Sequence, residues 1–516
     1  MKPIALLWAM VIGLFCLVAP AFSQDLRIAV RDTTTTIDPH YYTRAPNLQI
    51  SRHIFETLVG IGTDGQIEPG LAESWKTLDD TTWEFKLRQG VKFHDGSDFN
   101  ADDVVASVER VKLATGPVTF LRRVAAIDSI EVVDPYTIHI KTKTPWPLLT
   151  RDLSNVFITP AEVVNATFDA FDSGKAAIGT GPYKLVSFTP QEQVVLKRND
   201  DYWGTKPDYD NVTIRTIADA SAREAALRSG DVDLIEDPAA VNIAAIKNDP
   251  NLQVSSALTG FVIYMGYDQI NPKTADVTGT DKNPLLDKRV REAFSKAIDR
   301  KLVIDRVLLG LGEPASQPLP PGNFGHAEDL KVEAYDPEGA KKLLAEAGYP
   351  NGFSIALTVP TGEINNAENV GQAVVAMLQR VGIKATLNVV PGSVFGTAAR
   401  DHKYSLFLSS YISPEFDGSS AVRALTAIPD KDKGWGTSNY GGYANQASVD
   451  LLTQSFNTVD LDKRDQLLQQ NIKMVMEDYA VAPLYWQMAN WASTRAVNYT
   501  ARADAETHAM DAHLAK

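Results

Sequence analysis

Hydrophobic and polar positions alternate most clearly where Trp83, Phe85 and Leu87 are separated by Glu84, Lys86 and Arg88. One face is apolar and the other wet, the pattern of a half-buried strand. Gly90 breaks the run, 91–94 resume it, and Asp95-Gly96 is a turn pair. Asn100 is placed to cap a helix with Asp102 and Asp103 in its first turn, where the helix dipole favours negative charge. Val104, Val105, Val108 and Val111 then form its buried face. On the same reasoning 26–30 is a strand, 33–47 a polar and aromatic loop, and 48–58 a helix. Residues 130–143 carry two strand pieces about Asp134-Pro135, 194–198 and 212–217 are further strands, and 221–229 is a helix stopped by Gly230.

From about residue 282 helix and strand patterns alternate. After Asp287, the residues Val290, Ala293, Phe294, Ala297 and Ile298 share one helical face. Asp336-Pro337 supplies a cap and an N1 proline for a helix that Gly348 closes; 366–381 is another, ended by Gly382 before the strand 383–390. Such αβ units predict an open, largely parallel or mixed sheet with helices on its faces.

A chain of 516 residues exceeds one core and implies two or three domains. A net charge of −14 argues against nucleic acid and against a cationic membrane-binding mode. Met1-Lys2, the apolar run 4–18 and Ala19-Pro-Ala-Phe-Ser23 read as a secretory signal peptide, cut after Ser23 or, as the near alternative, after Ala21. No later stretch approaches the ~20 apolar residues of a membrane span. The one cysteine, Cys16, falls in this leader behind a bulky Phe15 that suits lipid attachment poorly. The exported chain therefore lacks disulfides, thiolate metal sites and cysteine nucleophiles.

Enzyme chemistry finds no motif. A GxSxG elbow, a phosphate-binding lysine loop and HExxH are all missing. Gly60-Ile-Gly-Thr-Asp-Gly65 fits GxGxxG, but the Gln66–Gly70 segment that follows cannot open a helix, so a turn between strands is the better reading. The eight histidines are dispersed; Asp38-Pro-His40 and the pair His508/His513 are weak metal candidates, and no catalytic residue, metal or cofactor is assigned.

The segment PGLAESWKTLDDTTWEFKLRQGVKFHDGSDFNADDVVASVER, from Pro69 to Arg110, resembles the signature of the dipeptide- and oligopeptide-binding class of extracytoplasmic solute-binding proteins, the receptors that feed ABC importers. The resemblance extends over the chain through Thr36-Ile-Asp-Pro39, Gly179-Thr-Gly-Pro-Tyr183, Asn199-Asp-Asp-Tyr-Trp-Gly204, Arg228-Ser-Gly-Asp-Val-Asp-Leu234, Asp287-Lys-Arg-Val-Arg-Glu-Ala-Phe294 and Ala340-Lys-Lys-Leu-Leu-Ala-Glu-Ala-Gly348. It implies an α/β, two-lobed periplasmic binding protein of class II with a hinge, plus a small inserted α+β domain. The implied division is a signal peptide 1–23; lobe I from 24–57, 176–270 and 484–516; the inserted domain 58–175; and lobe II 271–483. Implied too are a periplasmic location, a monomer, a small-molecule ligand and an inner-membrane ABC permease as partner.

Three residue clusters fall where the family lines its cleft. They are Tyr41, Tyr42, Thr43, Arg44 and Asn47; the strand 261–267 with Tyr264 and Tyr267, one of them expected in the core; and 409–418, with Tyr411, Glu415 and Asp417, followed by Arg423. By the resemblance, Glu415 or Asp417 meets a ligand amine, and Arg423 or Arg44 a ligand carboxylate. The family's carboxylate-binding arginine is missing from 359–365, which argues against a plain dipeptide. Trp435, Tyr440, Trp486 and Trp491 suit stacking on a ring or sugar face. The expected ligand is a peptide, an opine or a related amino-acid conjugate. A sugar or nickel-chelate receptor and a secreted hydrolase are the alternatives.

Overall fold

Two long strands, Leu252–Tyr267 and Val481–Thr494, run antiparallel through the middle of a twelve-stranded sheet. They pair from Leu252↔Thr494 to Gly266↔Val481, with the register shifting between Leu258 and Val262 and again between Ile263 and Tyr264. On one side follow Leu234–Glu236, Asp25–Val30, Asn211–Thr216, Gln193–Arg198 and Tyr183–Thr189; on the other, Leu406–Ile412, Ser354–Thr361 and Val277–Thr278. Asp25–Val30 pairs in parallel with Asn211–Thr216, as does Ser354–Thr361 with Lys384–Pro391, so the sheet is mixed. This computed structural model describes residues 24–113, 116, 120–413 and 415–515. The leader and Cys16 therefore lie outside the described residues. Among those described, no helix is long and apolar enough to cross a membrane.

Local chemistry accounts for the elements. Asp287 accepts from Arg289 N at 2.9 Å and Asp336 from Gly339 N at 2.8 Å, starting the helices Lys288–Lys296 and Pro337–Glu346. Gly348 and Gly382 adopt φ of +95° and +94° behind their helices. Asn100 caps Asp102 N at 2.8 Å while Asp103 reaches back to Asn100 N at 2.9 Å, a reciprocal cap on Ala101–Leu113. That helix packs on a four-stranded antiparallel sheet, Ala72–Thr77, Thr82–Leu87, Thr137–Thr142 and Ile127–Asp134, into which Trp83, Phe85 and Leu87 point. The GxGxxG string is the turn between Val59–Ile61 and Ile67–Pro69.

Two expectations change. The helix foreseen at 48–58 spans Ala45–Ile54, because Pro46 starts it early and Phe55 turns extended. Tyr264 and Tyr267 are both fully buried, on opposite faces of their strand. Tyr267 packs with Phe294, and Tyr264 joins the cluster containing Phe407 and Trp486. A central strand covered on both faces leaves neither tyrosine for a cleft.

Gly179-Thr-Gly-Pro-Tyr183 also acquires a reason. A Cβ on Gly179 would sit 1.9 Å from the Ile54 carbonyl oxygen, and one on Gly181 2.6 Å from it. Backbone meets backbone here, so nothing soft can yield. Gly179→Ala is expected to cost about 1–3 kcal/mol; a thermal melt matching the parent protein would refute the close-approach argument.

Candidate functional site

The loop after strand Leu406–Ile412 carries the acids. Asp417 opens helix Gly418–Leu425, accepting from Ser419 N at 2.9 Å and Ser419 Oγ at 2.6 Å. Its two oxygens also take a fork of bonds from Arg464, 2.7 Å to Nη1 and 2.9 Å to Nη2. The Arg464 and Asp417 side chains are only 2% and 3% exposed. Burial alone would raise the Asp417 carboxyl, but the Arg464 guanidinium and the Ser419 bonds hold it below the ordinary carboxylate range. Asp417 is thus committed inside the protein, which corrects its placement as a ligand group.

Glu415 is different. Its side chain is 8% exposed, Oε1 lies 3.5 Å from Arg123 Nη1, and Oε2 is buried without a hydrogen-bond partner among the described residues. Arg123 also donates to Asp152 Oδ1 at 3.2 Å, and Trp146 Nε1 donates to Asp152 Oδ2 at 2.8 Å. Burial pushes Asp152 up to about 6 against the pull of Arg123. Arg122 lies within electrostatic reach of Glu415, Asp152 and Arg423. Tyr411 lies within electrostatic reach of Glu415, Arg423 and Arg122, its hydroxyl donating to the Ser420 carbonyl at 2.8 Å. Burial pushes that phenol up to about 12.

A hairpin tip closes one side of this cluster. Arg151 Nη1 donates to the Gly65 carbonyl at 2.6 Å, Gln66 donates to the Gly322 carbonyl, and the Phe416 ring lies where a Gly65 Cβ would come within 2.4 Å. On another side Trp146 stacks on Phe456 at 5.8 Å, and Phe456 on Trp435 at 6.0 Å, with Lys433 4.9 Å above the Trp435 ring.

Of the residues expected from sequence, the structure gathers Tyr411, Glu415 and Arg423, and it links Trp435 to them through this stack. The others stand elsewhere. Trp486 is a core residue donating to the Gln317 carbonyl at 3.1 Å. Asn47 is buried and donates to the Thr36 carbonyl at 2.9 Å, fastening its own loop. Tyr41 packs its ring on Phe168 at 5.1 Å, and exposed Arg44 lies over Tyr42 at 5.7 Å. Asp38 is taken up by Arg110 at 2.6 and 2.8 Å. Among the described residues no group of three or more His, Cys, Asp or Glu could hold a metal ion. The contributors that sequence reasoning missed are Arg122, Arg123, Asp152 and Trp146, all within 58–175.

Comparison with known proteins places this geometry. Residues 66–432 match the bacterial extracellular solute-binding proteins, family 5, middle region. The chain is 30% identical to the dipeptide-binding protein of Escherichia coli over 451 residues, covering 82% of this chain and 81% of that one. It is 28% identical to the glutathione-binding protein GsiB of Shigella boydii over 485 residues, covering 91% and 88%. The structure of HbpA2 from Haemophilus parasuis superposes with a TM-score of 0.83 at 24% identity, over 95% of this chain and 99% of that one.

Proposed function

The chain belongs to family 5 of the bacterial extracellular solute-binding proteins, and from that premise we propose that it captures a small organic solute bearing a free amine, anchored by Glu415. Its fold is that of the class II periplasmic binding proteins, and it is the substrate-binding component of an ABC importer. The finer reading is a periplasmic monomer that binds a peptide, an opine or a related amino-acid conjugate and passes it to an inner-membrane permease without making or breaking a bond. Lobe I comprises 24–57, 176–270 and 484–516, the inserted domain 58–175 and lobe II 271–483; the strands 252–267 and 481–494 bend between the lobes. Relatives named for dipeptides and for glutathione support a ligand of this class.

The observation that carries the proposal is the buried oxygen of Glu415, which has no hydrogen-bond partner among the described residues. A polar group left without a partner costs about 1–3 kcal/mol, more when charged, and a ligand ammonium removes that cost through a charge-assisted bond. Tyr411 supplies an aromatic wall and Arg423 a cation for the ligand's far end. Closure then follows from contacts the ligand makes only with the closed form.

Thermal-shift screening with peptides, glutathione, opines, sugars and nickel should give its largest shift with an amine-bearing class. For that class Glu415→Gln is expected to weaken binding about 10- to 100-fold, the worth of one hydrogen bond to a charged group. Unchanged affinity in Glu415→Gln, or a shift with sugars alone, sinks the amine anchor. A compound consumed during the assay would make the protein a hydrolase.

A further inference from the structure

One cation reaches Glu415 from across the site, and it is bound elsewhere first. Arg123 lies in the short helix Leu121–Val124 and Asp152 in Leu149–Leu153, both within 58–175. Arg123 Nη1 donates to Asp152 Oδ1 at 3.2 Å, and Trp146 Nε1 donates to the other Asp152 oxygen at 2.8 Å. The same Nη1 stands 3.5 Å from Glu415 Oε1, an ion-pair distance beyond that of a good hydrogen bond. Among the described residues no other carboxylate lies within 4 Å of Arg123, and no other cation within 4 Å of Glu415.

The three side chains are 10%, 10% and 8% exposed, so solvent screens their charges little. Two buried carboxylates thus share one guanidinium. Burial raises Asp152 only to about 6, so at neutral pH it competes for that guanidinium as an anion. The closer contact belongs to Asp152, and Glu415 keeps its charge, with Oε1 turned to Arg123 and Oε2 bare.

Resting on the amine-binding reading above, we infer that Asp152 is a positioning residue for the ligand amine: by holding Arg123 it keeps Glu415 Oε2 open to the ammonium. Without Asp152 the guanidinium has one carboxylate left, and a buried charge stripped of its partner is costly. A movement of roughly 0.7 Å brings the 3.5 Å contact to the ~2.8 Å of a charge-assisted bond. The planar fork of a guanidinium suits both carboxylate oxygens, so Arg123 then takes Oε2 in the ammonium's place.

The test is a double-mutant cycle on the full-length protein, read by calorimetric titration at neutral pH. The probes are Ala-Ala, glutathione and N-(1-carboxyethyl)alanine, each carrying one ammonium. For the compound that binds the parent most tightly, Asp152→Asn is expected to lose about tenfold or more. On an Arg123→Gln background the same substitution should change affinity by less than about threefold, because no cation is left to intrude. Asp152→Glu, which restores the acid, should recover most of the loss. A residue that merely supported the fold would cost the same on both backgrounds.

Equal losses on the two backgrounds, or no loss on either, overturn the positioning role. If Glu415→Gln still weakens binding, the amine reading survives that result. Unchanged affinity in Glu415→Gln overturns the amine reading and the positioning role with it. Should Asp152→Asn alone fail to fold, the double variant decides, since it strands no charge on either residue. It must bind the probe more tightly than Glu415→Gln does; binding no tighter overturns the positioning role. Failure of all three compounds to bind at millimolar concentration overturns both.

Discussion

Arg464→Met is expected to lower the stability of the protein by about 3–5 kcal/mol, the usual cost of stripping one partner from a buried ion pair. Arg464 bonds both Asp417 oxygens, reaches the Ser455 carbonyl at 3.2 Å and covers the Phe324 ring at 5.0 Å. Methionine keeps much of the volume and none of the charge. Asp417 would retain its Ser419 bonds inside a site that water does not reach. Its folded-state pKa, now depressed, contributes stability that is present above the unfolded value and lost as pH falls. In the variant burial prevails and the sign reverses, so the deficit is largest at neutral pH and shrinks towards pH 4. Adding Asp417→Asn should recover part of the loss, because the stranded charge is then gone. Calorimetry at pH 7 and pH 4 reads all of this. A variant within about 1 kcal/mol of the parent at pH 7 would mean that the pair is worth no more than an exposed one.

Acid is expected to destabilise the whole protein between pH 6.5 and pH 4. Burial lowers His40, His53 and His94 from the ordinary 6.5 to about 4. Their contacts suit the neutral ring: His40 donates to the Phe157 carbonyl at 2.7 Å and accepts from Arg110 at 3.1 Å. His53 donates to the Gln49 carbonyl at 2.8 Å and accepts from Ala509 N at 2.9 Å. A depressed basic group leaves the folded state with fewer protons than the unfolded chain, so stability is complete above pH 6.5 and falls as the pH passes down to 4. Each histidine contributes about 3 kcal/mol over that window at 1.36 kcal/mol per pKa unit. Glu56 and Asp152, both raised by burial to about 6, act the other way and gain stability on acidification, at about 2–3 kcal/mol each. Among these five groups the histidines win, leaving on the order of 5 kcal/mol lost by pH 4. A melting temperature that holds steady or rises from pH 7 to pH 4.5 would show that the buried acids outweigh them.

Most of the scaffold was legible because its signals are local. Asn100, Asp287 and Asp336 announce their helices within three residues, and the alternation at 83–87 gives the buried face of a strand directly. The site was legible only in part. Glu415 and Asp417 are two residues apart and chemically alike; what separates them is Arg464, which no local pattern connects to the loop. Arg122 and Arg123 lie nearly 300 residues before Glu415, and two adjacent arginines read as ordinary surface. The run Val262–Tyr267 has no charged residue, which was the available sign that both of its tyrosines are interior. Trp486 ends a similarly apolar stretch and has the same fate. Asn47, by contrast, looked like a cleft residue because its polar neighbours did; the bond to Thr36 is a product of the loop's own turn.

The place of Val481–Thr494 in the sheet also sets a timetable. This strand lies between Leu252–Tyr267 and Leu234–Glu236, which were made far earlier. At roughly 5–20 residues per second, the ribosome reaches it roughly 10–45 s after finishing Tyr267. Until then the first-made part of the sheet has an open slot, bordered by two edges whose backbone groups lack partners. Such edges invite pairing with other chains. The nascent protein therefore spends most of its synthesis unable to complete its fold, and a companion that shields those edges serves it better than rapid early collapse.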